Sequence, residues 1–192
     1  DYTYARGRNL TRFINYNRDD AGNPFLPKLD EVMVTTSLGH SDYNGLTLGV
    51  RKRLSNGVQL EANYVLARDK DDDSNERDPF TDTSFNFFDL SKDWGPSNRD
   101  IRHKFNFFGY FTIPHGFWAN TRVQYRGPQP ITASPRSLNG TDRGRNGERK
   151  DNEYFSFDWR LGRPFRFGGR YEITPIIEMF NTFNNANNIN PL

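Results

Sequence analysis

The sequence predicts an all-β fold: an antiparallel, up-and-down sheet that crosses a membrane as a segment of a larger β-barrel. Three observations predict it. Apolar and polar residues alternate with a period of two, which is the pattern of strands with two different faces. Short and long connections alternate between these stretches, as they do in transmembrane barrels. Aromatic residues collect near the ends of the stretches, where a membrane surface would lie.

The alternation is strict on both sides of a short turn at residues 55–57. Residues 46–54 (LTLGVRKRL) and 58–66 (VQLEANYVL) each present one apolar and one polar face. The turn between them is Ser-Asn-Gly, in which glycine allows the positive φ of a tight hairpin. The same alternation recurs in residues 104–113, 117–126, 154–161 and 171–180. We expect seven strands, with approximate bounds of 1–6, 31–54, 58–68, 102–113, 117–128, 153–163 and 170–183.

The connections fall into two length classes. The short ones are 55–57, 114–116 and 164–169, and the long polar ones are 7–30, 68–101 and 127–152. In an up-and-down sheet this order places the short turns at one end and the long loops at the other, as in outer-membrane barrels. An ordinary antiparallel sheet with one face in water explains the alternation of residues equally well, but not this sorting of loops.

The two faces differ in charge. The polar face of the predicted strands carries Arg51, Arg53, Glu61, Lys104, Arg122, Arg126, Asp158, Arg160, Glu172 and Glu178, which suit a wet barrel interior. Candidates for aromatic girdles are Tyr64, Phe117, Trp118, Tyr125, Tyr154, Phe155, Tyr171 and Phe183. The mixture of cations and rings in residues 98–116 then fits a strand that passes from water into lipid. A nucleic-acid surface would use the same residue types, but it does not explain why residues 117–126 alternate in step.

Composition limits the remaining classes of protein. The 192 residues include 26 basic and 24 acidic side chains, and the net charge of +2 gives no global attraction to nucleic acid. Cysteine is absent, which excludes disulfides and thiolate metal sites. No run of 18 apolar residues predicts a transmembrane helix, and no signal peptide is recognisable. We expect the chain to be a piece of a longer protein, because it starts inside a strand and stops in a loop.

No metal site is predicted. His40, His103 and His115 lie far apart in the sequence and have no paired ligand spacing. The acidic segment 69–75 (DKDDDSN) is similar to a calcium loop, but Ser74 and Phe80 occupy the positions of its central glycine and closing glutamate. We expect a solvated loop there, and calcium binding stays open.

No enzyme is predicted, because the sequence lacks nucleophile, phosphate-loop and dinucleotide motifs and has no ordered Ser/His/Asp set. No catalytic residue and no cofactor are therefore assigned. The segment 140–150 (GTDRGRNGERK) is rich in glycine and arginine. Its arginines would attract anionic groups, such as lipopolysaccharide phosphates or an acidic substrate, but a flexible loop with scattered charge is the simpler interpretation.

Four stretches carry a family resemblance. They are YARGRNLTRFINYN (4–17), SDYNGLTLGVRKRLSNGVQLEANYVLARDKDD (41–72), DWGPSNRDIRHKFNFFGYFTIP (93–114) and RLGRPFRFGGRYEITPIIEMFNTFNNANN (160–188). In this order they resemble the barrel of TonB-dependent outer-membrane receptors, specifically the Oar-like branch. The resemblance implies a barrel of about 22 strands, of which this chain would be the C-terminal third. It also implies that the plug, the TonB box and the final aromatic-ended strand lie outside this chain.

The resemblance further implies a receptor that takes up a specific substrate across the bacterial outer membrane, with residues 1–192 as part of a single barrel domain. Its partners would be outer-membrane lipid and, through the plug, an inner-membrane TonB-type energy-coupling complex; nucleic acid is not expected. Loop candidates for substrate binding are Trp94, Arg99, Arg136, Arg143 and Arg145. Two alternatives stay open: a non-transporting surface barrel, such as an adhesin or assembly scaffold, and a soluble β-sheet binding module.

Overall fold

The computed structural model describes residues 1–17, 23–74, 89–131, 145–149 and 152–187. The strands, numbered in chain order, are β1 (Tyr2–Asn15), β2 (Met33–Ser55), β3 (Val58–Asp71), β4 (Gly95–Pro96), β5 (His103–Ile113), β6 (Phe117–Arg126), β7 (Pro130–Ile131), β8 (Glu148–Arg149), β9 (Tyr154–Gly162), β10 (Phe165–Phe167), β11 (Tyr171–Ile173) and β12 (Ile176–Met179). Two 3-10 turns occupy Leu90–Asp93 and Pro114–Gly116. Within these ranges, no helix is long and apolar enough to cross a membrane.

Eight of the strands form one antiparallel sheet. Its order is β1-β2-β3-β5-β6-β9-β12, and β4 pairs with the end of β3. Each long strand therefore pairs with its neighbours in the chain, which is the up-and-down topology that the alternation predicts. The predicted antiparallel all-β fold is confirmed, and the seven predicted strands correspond to the seven strands of this order.

The first strand is longer than the sequence predicts. Instead of giving way to a loop after residue 6, β1 continues to Asn15, whose pairing partner on β2 is Met33. The register shifts twice between Gly7 and Arg12, and Asn9 has a φ of 54°. These bulges interrupt the period of two, so the upper half of the strand does not show the alternation by which strands are recognised.

The last hairpin is divided where the sequence predicts one continuous strand over 170–183. Gly162 pairs with Ile176 and Phe165 pairs with Ile173, so the register on the two sides of the gap is the same. Pro164 and Pro175 fall in this gap, and neither has an N–H group to donate to the ladder. The turn lies at Gly168 and Gly169, both at positive φ.

Two of the three predicted long loops, 68–101 and 127–152, contain ordered structure of their own. In the segment 68–101, β3 extends to Asp71 and pairs there with β4. In the segment 127–152, β7 pairs with β8, with Ile131 opposite Glu148. Residues 75–88 and 132–144 of these segments lie outside the described part of the chain.

One face of the sheet is apolar across neighbouring strands. Residues paired across strands lie on the same face and form rows. Three of these rows are Leu48–Tyr64–Phe105–Tyr125–Phe155, Val50–Ala62–Phe107–Val123–Phe157 and Val58–Phe111–Ala119–Leu161–Ile177. From Phe105 to Ile113 the strand rises about 27 Å, which at a tilt of about 40° spans about 20 Å of membrane. This height approaches the apolar band of a transmembrane barrel, and we call this face the outward face.

The opposite face, which we call the inward face, is polar. Its rows include Asn63–Asn106–Gln124–Ser156, Glu61–Phe108–Arg122–Asp158 and Gln59–Tyr110–Asn120–Arg160–Glu178. Ion pairs join neighbouring strands, with Arg160 Nε 2.7 Å from Glu178 Oε1. Charged residues at this depth require water or a polar occupant on their side of the sheet.

The aromatic girdle is confirmed in part. Tyr64, Tyr125 and Phe155 share one outward row at the loop side of the band. Trp118 and Tyr154, by contrast, lie on the inward face, because they pair in register with its rows. Trp118 packs over Gly162, where a Cβ would lie only 2.3 Å from the indole ring. The position of an aromatic residue near a strand end does not by itself show whether its side chain faces outward or inward.

Both ends of the sheet are staggered in one direction. Thr112 N donates to Gly57 O, so the turn at 114–116 protrudes beyond the turn at 55–57. Trp118 pairs with Gly162, so the last hairpin protrudes further still. At the other end, β2 extends past β3, since Asp71 already pairs with Ser41. A regular stagger of this kind is what strands tilted within a barrel wall require.

The assignment of faces predicts opposite effects for two adjacent residues. We expect Phe107→Arg to destabilise the folded barrel by about 2–4 kcal/mol, because it places a charge in lipid near mid-membrane. Asn106→Arg, one residue earlier on the inward face, should change stability by less than about 1 kcal/mol. Urea unfolding in lipid vesicles, followed by tryptophan fluorescence, measures both. Equal losses in the two variants would contradict the assignment.

Candidate functional site at the loop end

The loop end of the sheet holds a buried core that is polar. Among the described residues, Ile14 is the one large apolar side chain that is buried. The buried polar and charged residues at this end are Arg12, Asn15, Asn17, Asp71, Asp72, Asp93, Ser97, Asp100, Arg145, Asn146 and Asn152. Burying a charge is costly unless the charge is paired, so the partners of these residues determine the structure of this end.

Arg12 connects the upper part of β1 to the segment that follows β3. Its guanidinium is 2% exposed and forms an ion pair with Asp93, and its Nη1 lies 3.8 Å from Asp72 Oδ2. Asp72 is held a second time by His40, whose Nδ1 lies 3.0 Å from Oδ2 and whose backbone N–H donates to Oδ1 at 2.8 Å. The carboxylates of Asp72 and Asp93 thereby join β1, β2 and the segment that follows β3.

Arg145 makes the second connection. Its Nη2 donates to Asp71 Oδ1 at 2.5 Å and to the hydroxyl of Ser74. Its Nη1 donates to the backbone carbonyls of Asp71 and Asp93, at 2.8 and 3.2 Å. The arginine thus closes the loop that contains Asp93 onto the top of β3.

Arg149 makes the third. It forms an ion pair with Asp100 and donates to the carbonyl of Pro128 at 2.8 Å. Asp100 in turn accepts a hydrogen bond from the backbone N–H of Asp69 at 2.8 Å. We call the three arginines and their four carboxylates (Arg12, Arg145, Arg149, Asp71, Asp72, Asp93 and Asp100) the cap.

The cap corrects two expectations. The acidic segment is not a solvated loop, because Asp71 and Asp72 are buried and neutralised by arginines far away in the sequence. Residues 145–149 are likewise not a flexible loop with scattered charge. Where the chain is described, no group of three or more potential metal ligands lies together, and the carboxylates of this segment face guanidinium groups instead.

A cleft of about 470 Å³ opens beside the cap. Its walls include Arg6, Arg8, His40, Asp42, Leu90 and Trp94. Asp42 and His40 continue the alternation of Leu48 and Leu46 along β2, so the cleft lies on the outward face, above the apolar band. Cations, carboxylates and an exposed indole ring together suit a polar ligand that carries negative charge.

A second polar feature lies on the inward face, at the loop ends of β5 and β6. Lys104 and Arg126 are directly opposite each other on β5 and β6. Within the described part of the chain, Nε and Nη2 of Arg126 are buried and have no hydrogen-bond partner. Two like charges opposite each other are destabilising in a sheet, so this pair creates a positive potential at the upper end of the inward face.

Comparison with known proteins identifies the family to which this sheet belongs. A family model described as an outer membrane beta barrel domain matches residues 2–127, about two thirds of the chain. The chain belongs to this family. No curated protein and no solved structure matches the chain. The predicted location in the bacterial outer membrane is confirmed, so the outward face of this outer-membrane barrel segment contacts lipid. A soluble binding module is no longer an alternative.

The loop candidates predicted from the sequence separate into three groups. Trp94 and Arg99 are exposed at the loop end of the outer-membrane barrel, and Trp94 lines the cleft. Arg145 is buried in the cap, so its guanidinium is engaged by protein atoms. Arg136 and Arg143 lie outside the described residues. Sequence reasoning did not select Arg6, Arg8 or Arg12: Arg6 fell in the predicted strand 1–6, and Arg8 and Arg12 fell in the predicted loop 7–30.

We expect Arg145→Gln to loosen the cap, because it leaves Asp71 buried without its cation, and breaking a buried pair costs about 3–5 kcal/mol. Hydrogen exchange at the backbone amides of residues 71–74, Gly95 and Ser97 measures the opening. The double variant Asp71→Asn with Arg145→Gln should recover part of the loss. Arg99→Gln, at an exposed position of the same loop region, is the control, and an equal effect there would contradict the role of the cap.

Asp69, at the top of β3 and above the apolar band, gives the cap a pH dependence. Burial, with the negative charges of Asp71 and Asp100 adding to it, raises the pKa of the Asp69 carboxyl, and Arg99 partly offsets this rise. The folded loop therefore favours the protonated form. The contribution of Asp69 to the stability of the loop is therefore fully present below the ordinary pKa of an aspartate and is lost as pH rises through the raised pKa.

Asp69→Asn should accordingly protect the Ser97 amide, which donates to the Asp69 carbonyl at 3.0 Å, against hydrogen exchange at pH 7. The gain over the wild type should shrink as pH falls and Asp69 becomes protonated. Asp89→Asn is the matched control, since a hydrogen bond from Ser91 lowers the pKa of the exposed Asp89 carboxyl. A gain for Asp69→Asn that does not vary with pH would exclude the carboxyl as its cause.

Proposed function

We propose that this chain forms part of the barrel wall of a TonB-dependent receptor that imports a specific substrate across the outer membrane. The observation that carries the proposal is the inward face, which is charged and incompletely paired where it meets the loop end. Lys104 and Arg126 lie opposite each other there without a carboxylate between them. The four sequence stretches that resemble this receptor class support the same conclusion.

Lower on the inward face, an aromatic residue lies between charged neighbours. Phe108 pairs with Glu61 on one side and Arg122 on the other, and its side chain is 40% exposed. Tyr110 follows on the same face. In a barrel that encloses only water, an exposed phenyl ring stays unfavourably hydrated. An internal plug domain would offer a surface against which the ring packs. The inward face is thus suited to an occupant with both polar and apolar contacts.

Lys104 is exposed at the upper inward face and suits the first contact of an anionic group on an incoming ligand or on the plug. The buried and unpartnered Nε and Nη2 of Arg126 add to the positive potential beside it. Binding there requires no covalent chemistry, in keeping with the expectation that the protein is not an enzyme. Energy for release would come from the inner-membrane coupling complex through the plug.

A second candidate function is display by a non-transporting surface barrel, and the cap favours it. Buried ion pairs between segments as distant as Arg12 and Asp93 fix the loops in one arrangement. Fixed loops suit an adhesin or an assembly scaffold, which must present a constant surface to its partner. The two functions make different demands on the inward face: uptake by a receptor depends on its charges, whereas display of the loops does not.

Charge reversal at the upper inward face separates them. Lys104→Glu with Arg126→Glu should reduce substrate-dependent growth or uptake about tenfold or more, while the protein reaches the surface in normal amount. The measurement compares the wild type, the variant and a deletion strain on a panel of limiting ferric chelates, cobalamin, oligosaccharides and peptides. A strain without the energy-coupling complex should show the same defect.

Arg170→Gln, at the turn end of the last hairpin, is the matched control and should leave uptake unchanged. The receptor proposal is wrong if the deletion strain takes up every compound normally but loses surface adhesion. In that case the variant with reversed inward charges should adhere as well as the wild type.

A further inference from the structure

A groove on the outward face begins at the upper edge of the apolar band. It has a volume of about 400 Å³ and is lined by Leu46, Leu66 and Tyr2 at its lower end and by Asn44 and Arg68 one row above them. Successive outward positions on a strand lie about 7 Å apart, so Arg68 lies one step above the last leucine row and Lys70 two steps above. The groove therefore crosses from the acyl-chain level to the headgroup level.

The tyrosines of β1 show which way this boundary runs. Tyr2 donates its hydroxyl to Asn44 Oδ1 at 2.9 Å, and the hydroxyl of Tyr4 lies 3.5 Å from Asp42 Oδ2. Each acceptor belongs to the row above its tyrosine, so both rings lie beside the strands with their polar tips toward the loop end. Tyrosine takes this arrangement where an apolar medium below meets water above.

The cations at this level are not all committed to the protein. Arg6 has a partner, since its Nε lies 3.5 Å from Asp42 Oδ2 and its guanidinium lies over the ring of Tyr4. Arg68 and Lys70 make no ion pair with any described residue, and Arg68 is exposed. Unpaired cations directly above a lipid-contacting surface are complementary to phosphate groups in the lipid headgroup layer.

We propose that this groove holds one phosphorylated glycolipid of the outer leaflet. Its acyl chains lie against Leu46 and Leu66, and its phosphate is bound by Arg68 and Lys70. The site depends on the outer-membrane location of the chain and not on the receptor function. Nothing in it requires transport.

The cleft above the groove favours a glycolipid over a simple phospholipid. The groove and the cleft follow the same outward positions of β2, from Leu46 through Asn44 to Asp42 and His40. Asp42 and His40 provide polar atoms for hydroxyl groups, and the exposed indole of Trp94 offers an apolar surface to a sugar ring. A phospholipid headgroup would end at the level of Arg68 and leave this cleft unused.

The test uses the full-length protein, extracted from outer membranes in mild detergent and examined by native mass spectrometry. We expect wild-type protein to retain about one lipopolysaccharide molecule, and Arg68→Gln with Lys70→Gln to reduce this retention roughly tenfold, the loss expected from charge-assisted contacts. The matched control is Arg51→Gln with Arg53→Gln, which removes two cations from the inward face of the same hairpin. Equal retention in all three proteins would overturn the proposal.

Further measurements separate the sources of phosphate. Purified lipopolysaccharide should rebind the delipidated protein, and inorganic phosphate at millimolar concentration should not displace it. Displacement by phosphate alone would overturn the lipid assignment, and equal binding of phosphatidylglycerol would overturn the sugar assignment. Trp94→Ala, which leaves both cations and the strands intact, should weaken lipopolysaccharide binding but not phosphatidylglycerol binding. This variant keeps the proposal testable if the charge variant does not fold.

Discussion

The structure depends on one constraint: a backbone that crosses lipid must satisfy its hydrogen bonds within the protein. A continuous antiparallel ladder is one of the two ways to do so. Once strands are adopted, the period of two separates every pair of neighbouring residues onto opposite sides of the sheet. Phe107 and Asn106 are adjacent in the chain and yet face lipid and the barrel interior. The composition of this protein, polar but rich in aromatic residues, follows from having two such faces and little enclosed core.

The constraint ends where the strands leave the membrane, and there the source of order changes. Above the Leu46–Leu66 row, β1, β2 and β3 continue toward the loops without acyl chains against their outward face. Buried ion pairs take over, since Arg12, Arg145 and Arg149 each bring together segments that are distant in sequence. Breaking one such pair is costly even where forming it contributes little, so the cap acts mainly to select one arrangement of the loops.

The sequence was sufficient to predict the features that follow from the alternation of residues. It was insufficient for the features that depend on bulges or on contacts between distant segments. The order of the seven main strands, the turns at 55–57 and 114–116 and the apolar face of β5 all follow from alternation, which is a local property. The upper half of β1 was missed because bulges near Asn9 break the period. The cap was missed because nothing near Asp71 or Arg145 in the sequence indicates a partner more than seventy residues away. Acidic and basic loop residues look solvated until the topology places them together.

The stretch NRDIRHKFNFFGYF contains both the ion-paired loop end and the start of the membrane-spanning part of β5. Asp100, in the loop, is buried against Arg149, whereas His103 already stacks on Tyr64 at the edge of the band. Lys104 then turns inward and Phe105 outward, and the alternation continues to Ile113. The register of β5 therefore fixes three things at once: the anchor of the cap, the start of the apolar band and the position of the inward cation opposite Arg126. A slip of one residue would place Lys104 in lipid and Phe105 in the interior, so lipid, the inward face and the cap all favour the same pairing.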